Sequence, residues 1–269
     1  MGGTITRKRY CAILDAGTTR RCTSLLVMIL FIAWVSPPLS SCAPASPDPL
    51  DGIEALQVGT YIDIPAGRLY LPQTWLASDE KAWPVTVILH GYGELSRSLS
   101  GRPAWIELAE KYGIVLFFVE TGHMGWIERR DSVDTRLITA VLRSFRRKPW
   151  VKPGGLQLMG WSAGAIMTQG MVGINRVQPD GSPLFDRLAA VSGGFGSVLD
   201  DELKKNPRLD GVIRVPVFIS WGEQEAPDHG CKAAVSLQDL GFRVQTATQP
   251  GDHVLTDPQI RQALSGNRR

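Results

Sequence analysis

The sequence predicts an α/β fold, with a mostly parallel sheet, helices on both of its faces and no large lid domain. Three observations carry that prediction. Short runs rich in Val, Ile, Leu and Phe recur along the chain, several of them near-continuous, as in strands covered on both faces. Amphipathic stretches of helical period lie between them. The regular alternation of the two is the pattern of parallel strands joined by helical crossovers.

The first 41 residues stand apart from that pattern. Arg7, Lys8, Arg9, Arg20 and Arg21 precede an apolar run from Leu25 to Val35. Small and turn-forming residues follow, ending in Leu39-Ser40-Ser41-Cys42. Basic region, short apolar region and small-residue cleavage site are the parts of a secretory signal. The apolar run is too short for a membrane-spanning helix, which needs about 20 residues. Leu39-Ser40-Ser41-Cys42 resembles the lipobox of bacterial lipoproteins. That resemblance implies cleavage before Cys42 and a lipid on its sulfur. The chain would then be exported, periplasmic or at the cell surface, and held to the membrane only by that anchor. An ordinary signal cleaved nearby is the alternative.

The leader also explains the charge. It holds five Lys or Arg and one Asp, of 29 basic and 26 acidic residues in all, so the remainder carries a net charge of −1. The basic balance is thus the export signal's and gives no argument for nucleic-acid binding. Beyond the leader the cysteines are Cys42 and Cys231. With Cys42 lipidated there is no internal disulfide, and the fold must stand on packing, which a domain of this size can do.

Residues 42–55 are Pro-rich at their start and read as a tether, followed by one domain over 56–269. Strands are expected at Thr60–Ile64, Arg68–Pro72, Val85–His90, Ile114–Glu120, Leu156–Trp161, Leu188–Ser192, Val215–Trp221 and Val244–Gln249. The first two lie close together and suggest an antiparallel start to the sheet. Helices are expected at Ala104–Lys111, Val133–Phe145, Ala163–Val172, Lys232–Leu240 and Gln259–Leu264. The first is stopped by Tyr112-Gly113. The longest irregular segments, Gly173–Asp186 and Gly194–Arg214, are too short for a separate lid.

One junction carries chemistry. Leu156-Gln157-Leu158-Met159 runs into Gly160-Trp161-Ser162-Ala163-Gly164, and a helical pattern follows. This is the strand–turn–helix context of a G-x-S-x-G nucleophile elbow, as in the α/β-hydrolase fold. The glycines relieve crowding where a strained turn meets the neighbouring strand and helix. The helix N-terminus aims backbone N–H groups at the reacting oxygen. Ser162 is therefore the candidate nucleophile.

A serine hydroxyl needs a base, and the chain order for this fold is Ser, acid, His. Only His229 and His253 follow Ser162. His253, just past the last expected strand, is the candidate base; His229 comes too early. The acid should follow Val215–Trp221, where Glu223, Glu225 and Asp228 fall. Glu225 stands three residues beyond Gly222 and is favoured, with Asp228 as the alternative. For the oxyanion hole, Ala163 supplies one N–H and the loop His90-Gly91-Tyr92-Gly93 the other, from Tyr92 or else Gly93. His90 itself reads as a loop-shaping residue. No cofactor is required. Asp228, His229 and Cys231 match no metal-ligand spacing. Met124 and Trp126 follow a strand on the site's side of the sheet, where they would line an acyl pocket or pack in the core.

Taken together, the segments resemble the esterase family that includes polyhydroxybutyrate depolymerases and feruloyl esterases. Val85–Gly93 is similar to its oxyanion segment, Leu108–Val115 to the helix and strand after it, Gly160–Met167 to its elbow, and Ala189–Gly194 to the next strand. Ala165 stands where a third glycine is often found, Glu225 replaces the usual aspartate, and no Trp-rich segment follows His253. The resemblance implies a serine hydrolase acting on short-chain, feruloyl-type or polymeric esters. A peptidase or acyltransferase on the same fold is the nearest alternative, then a binding protein without catalysis.

Overall fold

In the computed structural model, all eight expected apolar runs become strands of one sheet. The structure describes residues 48–50, 57–77, 82–194, 197–225 and 228–265, all within one compact unit, Ser46–Arg269. The expected leader and Cys42 lie outside these residues. Among the described residues no helix is long and apolar enough to cross a membrane.

The strands are β1 (Tyr61–Ile64), β2 (Gly67–Tyr70), β3 (Trp83–Leu89), β4 (Val115–Val119), β5 (Val151–Trp161), β6 (Arg187–Val191), β7 (Val217–Gly222) and β8 (Val244–Gln249). Their order across the sheet is β1-β2-β4-β3-β5-β6-β7-β8. β2 pairs antiparallel with both β1 and β4, and every pairing from β4 onward is parallel. The expected antiparallel start and parallel body are thus both present.

Burial explains why the central runs are so uniformly apolar. All five residues of β4, Val-Leu-Phe-Phe-Val, are buried, because helices cover both faces of the sheet. Phe117 meets Phe145 of the helix above it with ring centroids 5.5 Å apart. Truncating such a side chain to alanine costs about 3–5 kcal/mol. β8, at the edge, has no buried residue: its positions are half-buried or exposed.

The helices are α1 (Thr74–Ala77), α2 (Ser96–Ser100), α3 (Pro103–Tyr112), α4 (Val133–Arg147), α5 (Ala163–Met171), α6 (Ser197–Lys205), α7 (Asp228–Asp239) and α8 (Asp257–Ser265). Five match the expected ones. α3 ends where Gly113 adopts the left-handed conformation. α4 starts one residue after Ser132, whose side chain accepts from Thr135 N. Three were not expected. α1 and α2 are single turns, too short to show a period. α6 lies inside the segment read as irregular; its apolar positions are few, and Leu199 is fully buried among them.

Two boundaries also shift. β5 starts five residues early, at Val151, because that residue pairs with Trp83, ahead of a register shift before Leu156 meets Val85. Within the stretch expected as tether, Leu50 is fully buried and Asp48 Oδ2 accepts from Arg147 Nη2 at 3.1 Å. Between β6 and β7 the described residues form only α6 and turns, so no lid-sized insertion covers the strand ends.

Candidate active site

The site forms where the C-terminal ends of β3, β5, β7 and β8 meet. β5 ends at Trp161 and α5 begins at Ala163, which leaves Ser162 alone to turn the chain. It does so at φ 54° and ψ −118°, a conformation that side chains rarely adopt. The turn is held from both sides. Ser162 N donates to Val191 O of β6 at 2.9 Å, and Ser162 O accepts from Ala165 N at 2.9 Å. Gly160 and Gly164 let the strand and helix touch. A Cβ on Gly160 would overlap the Gly164 carbonyl, and a Cβ on Gly164 would overlap the Leu89 carbonyl.

His253 arrives from the loop after β8. That loop is stitched to the loop after β7: Glu223 N donates to Gln249 O at 2.8 Å and Gln224 N to Gly251 O at 3.0 Å. The stitching carries Glu225 and His253 to the same place. Ser162 Oγ lies 2.7 Å from His253 Nε2, and Glu225 Oε2 lies 3.4 Å from His253 Nδ1. A carboxylate only accepts, so the imidazole proton belongs on Nδ1, and Nε2 is left to accept from the serine hydroxyl. Glu225 Oε1 is fixed by Gly222 N at 2.9 Å. The Glu225 side chain is 9% exposed and that of His253 48%, so the carboxylate is sheltered while the imidazole is half-exposed.

The alternative acid, Asp228, is the first residue of α7, and Glu223 is exposed with its backbone committed to β8. The Asp228 side chain lies outside the described part of the structure; of Glu223 and Glu225, Glu225 is the carboxylate that reaches His253.

The oxyanion segment is sorted by its hydrogen bonds. Gly91 N donates to Glu94 Oε2 at 3.2 Å, and Gly93 N to Met124 O at 2.7 Å. Among the described residues Tyr92 N has no acceptor. Gly93 N is thereby engaged with Met124 O, while Tyr92 N carries no such bond among these residues. Ala163 N, at the first position of α5, is likewise without an acceptor. His90 is fully buried; its Nδ1–H donates to Gly91 O at 2.9 Å, a loop-shaping contact. Trp126 Nε1 donates to His90 O at 2.7 Å, and Met124 is 58% exposed. Trp126 is therefore a brace, and Met124 is surface beside the loop.

Sequence reasoning assigned no role to three residues that touch this arrangement. The Trp161 indole stacks on His253. Glu94 holds Gly91. His123 pairs with buried Asp134 beneath the loop that carries Met124. Each depends on a contact across the fold, and no local spacing announces it.

No family model matches the sequence, and no curated protein does. Solved structures do match the fold. Esterase PE8 is similar over 76% of this chain and 97% of its own, with 17% identity and a TM-score of 0.54. FphF, a fluorophosphonate-binding serine hydrolase of Staphylococcus aureus, covers 77% of this chain and 96% of its own, with 15% identity and a TM-score of 0.58. A ferulic acid esterase covers 74% and 88%, with 16% identity and a TM-score of 0.54. At these identities the likeness is one of fold, and the fold is that of the α/β-hydrolases.

Proposed function

We propose that this chain is an exported serine hydrolase that cleaves carboxylic esters through an acyl-enzyme. The observation that carries the reading is the 2.7 Å approach of Ser162 Oγ to His253 Nε2 at a strained strand–helix turn. Strain of this kind persists only where surrounding structure enforces it, and it presents the hydroxyl beyond the C-terminal end of β5.

In the proposed reaction His253 Nε2 takes the Ser162 proton as Oγ attacks the ester carbonyl carbon. Glu225 stabilises the imidazolium that forms. The N–H groups of Ala163 and Tyr92 hold the tetrahedral oxyanion. The imidazolium returns its proton to the departing alcohol. His253 then takes a proton from water as it attacks the acyl carbon, and returns that proton to Ser162 Oγ as the acyl–oxygen bond breaks and the acid leaves. No metal or cofactor takes part.

An ester with apolar groups suits the surroundings. Tyr92, Leu95, Met124 and Val254 expose apolar side chains on the segments that carry or flank the site. Two of the structural neighbours are named esterases, which favours this reading over a peptidase. Export, with a lipid on Cys42, stays part of the proposal on the strength of the leader.

The test is direct. The protein should hydrolyse p-nitrophenyl acetate and butyrate and leave peptide p-nitroanilides intact. It should be labelled by a fluorophosphonate, with labelling and turnover both lost in Ser162→Ala. Peptide turnover without ester turnover would reassign the activity, and absence of labelling would leave a binding protein. Mass spectrometry of the mature N-terminus should find lipidated Cys42. A panel of short acyl, feruloyl and polyester substrates would then identify the acyl group.

A further inference from the structure

We infer that Asp134, which reaches no reacting atom, is a positioning residue for the Tyr92 oxyanion donor. Asp134 lies in the first turn of α4 with its side chain 2% exposed. Burying a carboxylate this far is costly unless its oxygens are satisfied. Oδ1 is 3.2 Å from His123 Nε2, and Oδ2 accepts from Ile127 N at 2.6 Å. Helix capping does not explain the residue, because Ser132 Oγ already accepts from Thr135 N at 3.0 Å.

The two partners of Asp134 bracket residues 123–127, and that short loop holds the oxyanion segment. Met124 O accepts from Gly93 N at 2.7 Å. Trp126 Nε1 donates to His90 O at 2.7 Å. The two bonds grip the segment on either side of Tyr92. The Tyr92 N–H shares a rigid peptide plane with Gly91 O, which accepts from His90 Nδ1 at 2.9 Å, and the two outer bonds limit the rotation of the units on either side of that plane. The chain of contact runs from Asp134 through His123 and Ile127 to Met124 and Trp126, then to His90 and Gly93. Every link is a hydrogen bond or a covalent neighbour.

A donor that is mis-aimed loses its value in the transition state more than in the bound substrate. The prediction is therefore a fall in kcat with KM nearly unchanged. The inference rests on the ester-hydrolase reading, and the experiment separates the two. Wild-type turnover of p-nitrophenyl butyrate, abolished in Ser162→Ala, reports on the reading. Asp134→Ala, Asp134→Asn and Trp126→Phe report on the strut.

Asp134→Ala should lower kcat about 10- to 100-fold with KM within about two-fold. It should weaken an alkyl boronic acid, which forms a tetrahedral adduct on the serine, by a matching factor. Asp134→Asn should recover most of the loss, since its oxygen still accepts from Ile127 N and its amide can donate to His123 Nε2. Trp126→Phe keeps a ring beside His90 and removes only the N–H, so it should lose kcat in the same direction. It decides the matter alone if Asp134→Ala fails to fold. Wild-type-like kcat in folded Asp134→Ala and in Trp126→Phe overturns the inference, as does a loss confined to KM. Absence of ester turnover in the wild type overturns the reading and the inference together.

Discussion

The Trp161 indole lies over the His253 imidazole, with ring centroids 4.8 Å apart and planes 28° apart. The same indole underlies the oxyanion segment: a Cβ on Gly91 would sit 2.9 Å from it. One aromatic ring thus steadies the base on one side and limits the donor loop on the other. A ring pair of this kind contributes about 0.5–1.5 kcal/mol beyond the area it buries. Trp161→Leu should therefore lower kcat by up to about tenfold. Steady-state kinetics on p-nitrophenyl butyrate would show it, and an unchanged kcat would remove Trp161 from any part in holding His253.

Glu225→Gln should be far more damaging. The amide can still accept from Gly222 N, but its NH2 group would then face Nδ1 of His253. That favours the tautomer with the proton on Nε2, which cannot accept from Ser162. Losses of about 10²–10⁴ in kcat follow from a wrong tautomer in related triads. Asp228→Asn should stay within a few-fold of wild type. The opposite ranking in a side-by-side assay would transfer the acid's role to Asp228.

Glu120 links stability to pH. It follows β4; Oε2 accepts from Ser96 N at 3.0 Å and Ser96 Oγ at 2.7 Å, and Oε1 from Gly122 N at 3.3 Å. Burial alone would raise its pKa, but these hydrogen bonds outweigh it and hold the carboxyl below its ordinary value of 4.5. A depressed folded pKa contributes stability that is complete above the unfolded value and lost as pH falls through the folded one. Glu120→Gln should cost about 1 kcal/mol at pH 7, or about 2–4 °C in Tm. The gap should close as the pH is lowered below 4.5. Thermal melts across that range would reveal it, and a gap that is constant with pH would contradict it.

Gly160→Ala should be among the most destabilising substitutions, because the added methyl has backbone and Thr168 Oγ1 in its way and no flexible group to displace. A loss above about 4 kcal/mol is expected, read as lost soluble expression or a collapsed denaturation midpoint. A stable Gly160→Ala would mean that β5 and α5 can separate without harm.

Much of this architecture was legible in advance, and the reasons are local. Val115–Val119 and Leu156–Trp161 announce themselves because burial on both faces leaves no room for polar residues. That Ser162, Glu225 and His253 come together was legible because each follows a readable strand and the three stand in the chain order expected of a G-x-S-x-G elbow. Where several faces compete, legibility fails. The start of β5 was not expected, because Lys152, Pro153 and Gly154 are exposed and lie in the register shift between the Val151–Trp83 and Leu156–Val85 pairings, where no apolar pattern marks the strand. α6 hid in an apparently irregular segment because its few apolar residues meet the core at only one or two points. The brace of Asp134, His123 and Trp126 could not be read at all: Trp126 Nε1 finds its acceptor 36 residues upstream.

Among the described residues β8 is the outermost strand on its side of the sheet, bonded to β7 alone and exposed at Gln245, Thr246 and Thr248. Ser162 sits at the end of β5, flanked by β3 and β6, while His253 hangs from β8, 91 residues away in sequence. The two halves of the machinery therefore have unequal local stabilities. Peeling of the sheet margin, the cheapest opening available to such a structure, would carry off the base and leave the nucleophile's turn intact. On heating, hydrolysis should disappear while the central amides still resist exchange with deuterium, so that inactivation marks the fraying of one edge and precedes the melting of the core.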